Sequence, residues 1–451
     1  MARGTTSAHR RTLAALAATG VAATALAGCG ASPGENLAAA ADVSPEAVTA
    51  ALEEGGDLLV WAWEPTLEQV VTSFEAEYPN VDVELANVGT GNDHYVVLQN
   101  AISAGSGVPD VAQVEYYALP QFSISGSLAD LAPFGASGLD GTYSPGTWNA
   151  VTDGDAVYGL PMDSGPMALF YNAKTFEEAG AKVPATWDEF VEAARVIHAH
   201  DSETHILADN GDAGFVTSMI WQAGGHPFRV DGTSVTVDLA DEGSTRFAAM
   251  WQQLVDEHLV ADIPQWSDEW FQRLGDGTLA ALVTGAWMPA NLESGAAPAA
   301  GDWRVAPMPQ WTAGVNETAE NGGSSLAVTE ASRKKALAYG FLQYANAGPG
   351  VQVRLDHGNF PATTADLTDP EFLAEEPEYF GGQKINEVLS ASATGVVEGW
   401  QYLPYQVYAN SVFPDTVGQA YTRSTSLADG LVAWEQAMVT YGRNQGFTVA
   451  E

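Results

Sequence analysis

Apolar and polar positions along this chain switch repeatedly between two periods. Residues 57–62 form a mostly apolar run, as in a strand buried on both faces. Leu67, Val70, Val71, Phe74 and Tyr78 then follow helical spacing. Pro79-Asn80 turns the chain, and Val81, Val83 and Leu85 alternate as in a strand. Residues 93–103 predict a second helix with Val97, Leu98 and Ala101 turned inward, and 111–114 a third strand. This order predicts an α/β unit, a parallel sheet flanked by helices.

A second α/β block follows. Residues 166–171 predict a buried strand. Thr186-Trp187-Asp188-Glu189 is a capping box, opening a helix that buries Trp187, Phe190, Val191, Ala194 and Ile197. Helices over 245–257 and 268–274 precede apolar strands at 279–284 and 305–309. The Gly-rich stretch 321–325 leads to a strand at 326–328 and a helix from Ser332 to about 346, after which the chain is mostly helical. Ahead of both blocks, Ser44-Pro45 starts a short helix ended by Gly55-Gly56, and residues 30–44 have the Gly, Ala, Ser and Pro content of a tether. At ~100–200 residues per domain, the chain can bury two sizeable cores.

Charge narrows the partners. There are 57 acidic against 17 basic residues, a formal net charge of −40. Such a surface repels nucleic acid and anionic lipid, so no nucleic-acid partner is expected. Arg333-Lys334-Lys335, the nearest thing to a basic patch, reads as a first helical turn, and the acidity itself as a solvated exterior. Cys29 is the only cysteine, which excludes an intrachain disulfide and a thiolate metal cage. His198, His200 and His205 do not share one helix face, and neither H-E-x-x-H nor G-x-S-x-G occurs. No metal or cofactor is expected.

The N-terminus carries its own signal. Arg3, Arg10 and Arg11 flank an Ala- and Leu-rich run over 12–25, followed by Leu26-Ala27-Gly28-Cys29. The run is shorter than the ~20 residues a spanning helix needs. It resembles a bacterial lipoprotein signal with its lipobox. That resemblance implies removal of residues 1–28, lipidation of Cys29 and anchorage at the extracellular face of the cell membrane. Arg10-Arg11 leave the choice between general and twin-arginine export open.

Short pieces in a fixed order carry a second resemblance. They are Phe74-Glu75-Ala76-Glu77-Tyr78-Pro79-Asn80-Val81, Pro109-Asp110-Val111, Gly159-Leu160-Pro161, Leu169-Phe170-Tyr171-Asn172, Pro184-Ala185-Thr186-Trp187-Asp188-Glu189-Phe190, Gly285-Ala286-Trp287, Gly322-Gly323-Ser324-Ser325-Leu326-Ala327-Val328 and Asn359-Phe360-Pro361-Ala362. Together they resemble the extracellular solute-binding lipoproteins of ABC importers, in the carbohydrate-binding family that includes maltose-binding proteins. The resemblance implies a two-lobe α/β fold of the periplasmic-binding-protein type II, with a ligand cleft between discontinuous lobes. Residues 57–165 with 304–346 would form one lobe, and 166–303 with 347–451 the other. Crossings would fall near 163–168, 300–305 and 346–350. It further implies a monomeric binding protein without enzymatic activity that takes a carbohydrate ligand and meets ABC permease subunits.

Sugars present C–H faces and a rim of hydroxyls, so a site for them needs flat rings beside carboxylates or amides. Candidates lie where strands end, as open α/β sheets favour. Trp63 and Glu64 follow the first strand, Asp93 opens the second helix, and Glu115 follows the third strand, where the family often has an acidic sugar contact. Asp163 sits at the first crossing, and Trp221 precedes Gly224-Gly225. Trp287 resembles the stacking tryptophan of the second lobe. Gly323 and Ser324 offer backbone N–H groups, and Trp400 lies in the C-terminal helical part. Tyr116, His226 and Tyr402 read as packing or rim, Trp61 and Trp187 as core. Two alternatives stay open on residue type: a secreted glycosidase, since paired carboxylates are plentiful, and a binder of peptides or polyamines, since aromatic boxes also hold cations.

Overall fold

The computed structural model describes residues 44–450; the signal sequence, most of the tether and Cys29 lie outside the described residues. Ser44 caps a helix over Pro45–Glu54, its hydroxyl accepting from the Ala47 N–H at 3.2 Å. β1 (Gly56–Trp61) pairs in parallel with β2 (Val81–Ala86) and β3 (Val111–Glu115), with helices Leu67–Glu77 and Asn92–Ala104 between them. On the second of these, His94, Tyr95 and Leu98 face the core, while Val97 stands in solvent, against the sequence-based expectation. Burying the Tyr95 ring removes more apolar surface from water than burying Val97 would.

The chain then forms β4 (Leu160–Pro161) and leaves the first sheet. β5 (Met167–Asn172), β6 (Ala281–Gly285) and β7 (Trp303–Pro307) make a second sheet of order β6–β5–β7, antiparallel throughout. β8 (Ser324–Val328) returns to the first sheet, whose order is β2–β1–β3–β8–β4, and runs antiparallel to both neighbours. Each sheet has its own core. Val60, Phe74, Leu326 and Phe341 pack under the first. Behind the second, Trp187, Trp251 and Trp434 are buried among Phe190, Phe247 and Phe413. The capping box forms: the Thr186 hydroxyl accepts from the Glu189 N–H at 3.3 Å, and Glu189 reaches back to the Ala185 N–H at 2.8 Å. Trp187 is core, as expected, whereas Trp61 is only half-buried.

The expected lobe boundaries need two corrections. Trp303–Pro307 belongs wholly to the second sheet, because Trp303 and Val305 point into the second lobe's core. Val305 is therefore no crossing point. Helix Pro349–Leu355 stays with the first lobe, where Arg354 donates to the Met162 carbonyl at 3.2 Å and to Asn346 Oδ1 at 2.5 Å. Gly348 is accordingly a helix junction within one lobe. The chain next approaches the second lobe at Phe360, which packs in that lobe's core, while Ala362 packs in the first.

Candidate functional site

Two crossing segments lie side by side. The Asn321 N–H donates to the Gly165 carbonyl at 2.8 Å, and Glu320 accepts from the Ser164 hydroxyl at 2.9 Å and the Gly165 N–H at 2.5 Å. Glu320 is 1% exposed, and burial pushes its carboxyl up to about 7 against the pull of those two bonds. A Cβ on residue 165 would stand 2.1 Å from the Asn321 oxygen, so the approach requires glycine.

The same crossing holds three residues expected to bind ligand. Asp163 accepts from the Ser324 N–H at 2.6 Å, so that backbone donor is already used. Burial raises the Asp163 carboxyl to about 6, the Ser324 bond opposing it. The Tyr116 hydroxyl donates to the Asp163 carbonyl at 2.7 Å, and Gly323 lies flat against the Tyr116 ring with its carbonyl accepting the Tyr116 N–H. Asp163, Gly323 and Ser324 bond to one another and to Tyr116 at the crossing and do not line the cavity beside them.

That cavity, about 450 Å³, opens between the lobes. Gly91, Asn92, Glu115 and Tyr117 line it from the first lobe; Asp209, Asp212, Trp266, Thr284 and Trp287 from the second; Asn321 and Gly322 from the crossing. Glu115 ends β3, and its Oε2 accepts from the Tyr95 hydroxyl at 3.0 Å. Desolvation raises its carboxyl to about 7; bonds from Tyr95 and Tyr117 lower it, and the charges of Asp163 and Asp212 add to the rise. Asp212 caps helix Ala213–Gln222, accepting the Phe215 N–H at 2.5 Å. Asp209 is held by the Trp251 N–H at 2.8 Å and by the Gly211 N–H at 2.9 Å. Trp287 follows β6, its indole N–H donating to the Asn321 carbonyl at 2.8 Å. Trp266 lies nearly parallel to it, with ring centroids 5.7 Å apart and planes at 29°. Aromatic rings and carboxyl or amide groups thus share the lining on both lobes, a combination that suits a polyhydroxylated ligand.

Among the residues chosen from sequence, the structure brings only Glu115 and Trp287 to this cavity. The Trp63 and Glu64 N–H groups both donate to Gln113 Oε1 at 3.0 Å, and the Glu64 carboxylate accepts from the Thr66 N–H and hydroxyl. Trp63 packs on His94 at 4.9 Å, where burial lowers the imidazole to about 4. Both side chains therefore serve the first lobe. Asp93 points into solvent; its neighbour Asn92 takes the cavity position. Trp221 is 1% exposed, covered by Trp400 at 4.7 Å and by Tyr402 at 5.0 Å. Trp400 lines a second interlobe groove of about 550 Å³, and Tyr402 borders both spaces. Sequence reasoning missed Asn92, Tyr117, Asp212 and Trp266. Asp212 was findable as an N-cap after Gly211, and Trp266 as an aromatic residue between Pro264 and the cap Ser267.

Two α/β lobes, joined by short crossings around a cavity of rings and carboxyls, define a cleft-type ligand-binding protein. Residues 61–352 match the bacterial extracellular solute-binding protein family, and the chain belongs to it. It is similar to the ABC transporter associated binding protein from B. animalis subsp. lactis Bl-04, solved in complex with β-1,6-galactobiose: 46% identity, 88% of this chain and 99% of that one, TM-score 0.81. The galacto-N-biose-/lacto-N-biose I-binding protein of Bifidobacterium longum is 25% identical over 88% of this chain and 99% of its own, with a TM-score of 0.77. A lactose-binding protein of Rhizobium radiobacter is 25% identical over 73% of this chain and 80% of its length. Among the described residues, no helix is long and apolar enough to cross a membrane.

Proposed function

We propose that this protein is the capture subunit of an ABC-type carbohydrate importer, taking a short β-galactoside between its lobes and handing it unhydrolysed to permease subunits. It would act as a monomer held at the extracellular face of the membrane by a lipid on Cys29. The observation that carries this reading is the interlobe cavity, where Trp266 and Trp287 face Glu115 and Asn92 across a space of about 450 Å³. Likeness to the β-1,6-galactobiose complex supports the sugar class, and the relatives named as binding proteins support capture without turnover. Closure would pivot where Asp163–Gly165 meets Glu320–Gly323.

Calorimetric titration with β-1,6-galactobiose, lactose, an arabino-oligosaccharide and spermidine tests the reading, with chromatography of the recovered sugar. A galactoside should bind, return intact and shrink the radius of gyration in solution scattering. Binding of spermidine alone, or release of galactose, would replace it with the polyamine or glycosidase alternative.

A further inference from the structure

Trp266 stands apart from the other aromatic residues of the cleft. It is 51% exposed, whereas most of the chain's large rings are buried. Its backbone is left-handed, with φ 65, a conformation that glycine adopts freely and a bulky residue rarely holds. The local turn holds it there. The Ser267 N–H and hydroxyl both reach the Pro264 carbonyl, at 3.4 and 2.8 Å, and Ser267 then caps helix Asp268–Asp276. Residue 266 is thus the third of a tight turn, the position where a type II turn calls for Gly or Asn. Strain kept at an exposed site is the pattern expected where the side chain is needed by function. The ring itself is braced by Trp270 at 5.4 Å and Phe271 at 6.1 Å, and it lies near-parallel to Trp287 with both rings lining the cavity.

We infer that Trp266 is a second aromatic platform, placed to receive a further sugar ring of the ligand whose inner ring lies against Trp287. This rests on the sugar reading above and deepens it: the site then reads chain length, favouring two or more rings over one. Two near-parallel indoles whose centroids are 5.7 Å apart are displaced from each other along the cavity lining, and so offer stacking surface to two rings. A turn that fixes the outer indole lowers the ordering cost on binding.

The test compares wild type with Trp266→Gly and Trp266→Phe, against galactose at millimolar concentration and β-1,6-linked galactose oligomers of increasing length. Glycine relieves the left-handed backbone, so the thermal midpoint of Trp266→Gly should equal or exceed that of wild type. Its affinity for the oligomers should fall about 10-fold, the scale of one lost ring contact and clearly more than its affinity for galactose falls, and Trp266→Phe should recover part of the loss. Equal loss for galactose and oligomers would make Trp266 a prop for Trp287 and overturn the inference. Unchanged oligomer affinity would overturn it and leave the sugar reading standing. Wild-type protein that binds none of these sugars would overturn both.

Discussion

Trp287 and Asn321 are tied across the base of the cleft: the indole N–H donates to the backbone carbonyl at 2.8 Å. Asn321 in turn donates its own N–H to Gly165. A ring that borders the cavity is therefore wired to both hinge segments, and whatever stacks on it bears on the crossing.

That link separates two roles of Trp287. Trp287→Phe keeps a ring in place but removes the indole donor. The net loss should be ~0.5–1.5 kcal/mol, the usual worth of one hydrogen bond. Trp287→Ala removes the platform as well. We expect sugar affinity to fall several-fold in the first variant and beyond detection in the second. Both should melt cooperatively, since Trp287 is only half-buried. Titration alongside urea denaturation checks this, and an alanine variant that binds like wild type would remove Trp287 from the site.

Buried carboxyls of the cavity and the crossing make stability depend on pH. Burial raises Glu115 and Glu320 to about 7, and Asp163 and Asp209 to about 6. A carboxyl with a raised folded pKa is bound to its proton more tightly in the native state. Its contribution is complete below the ordinary carboxylate range and is lost as pH rises through the folded value. The unliganded protein should therefore lose thermal stability between about pH 5 and pH 7. Glu115→Gln should flatten part of that slope, because the amide cannot ionise. A slope identical to wild type would mean that Glu115 is already charged in the cleft.

Trp221 and Trp400 stack on each other but should answer differently to truncation. Trp221 is sealed in the second core, so Trp221→Ala should cost ~3–5 kcal/mol, the range for a buried Trp. Trp400 is half-buried at the second groove, and Trp400→Ala should cost clearly less. Neither lines the 450 Å³ cavity, so folded Trp400→Ala should keep wild-type sugar affinity. Chemical denaturation and titration of the two variants read out both expectations.

These two residues mark how far the sequence could be read. Hydrophobic periods located β1 to β3 and the capped helix at Trp187, because burial on one face leaves a local trace. For Trp221 the sequence offered only the Gly224-Gly225 turn after it, and nothing local says that Trp400, far along the chain, lies over it. Position at a strand end picked out Glu115 and Trp287, and both line the cavity. It also picked out Trp63 and Glu64, which do not line it, because Gln113 draws their backbone N–H groups and Thr66 engages the Glu64 carboxylate. Trp266 was passed over because a left-handed turn places it at the cavity, and residue type argues against such a turn.

Cys29 is outside the described residues, yet its prediction is sharp. If the thiol carries the lipid, Cys29→Ser should prevent lipidation and release the protein to the medium or leave the precursor uncut. Membrane fractionation and intact mass decide this. A variant that is still cleaved and membrane-bound would show that anchorage does not run through Cys29.

Gly165 offers a test of the hinge from a residue that does not itself line the cavity. Its N–H donates to Glu320, its carbonyl accepts from Asn321, and a Cβ there would meet the Asn321 oxygen at 2.1 Å and the Trp287 indole nitrogen at 3.1 Å. The first of these contacts is with backbone, which cannot rotate aside. Gly165→Ala must therefore push the two crossings apart, at a cost of about 1–3 kcal/mol on the overpacking scale. Separation would also weaken both hydrogen bonds and shift Trp287, so sugar affinity should fall without any ligand contact having been removed. Gly138→Ala is the control: it has no positive φ and no atom within 4 Å of its Cβ position. That variant should be neutral or stabilised by about 0.4–1 kcal/mol through its stiffer unfolded chain. Urea midpoints and titrations of the pair discriminate. If Gly165→Ala matched Gly138→Ala in both, the side-by-side crossing of residues 163–165 and 320–323 would not be the pivot of this protein.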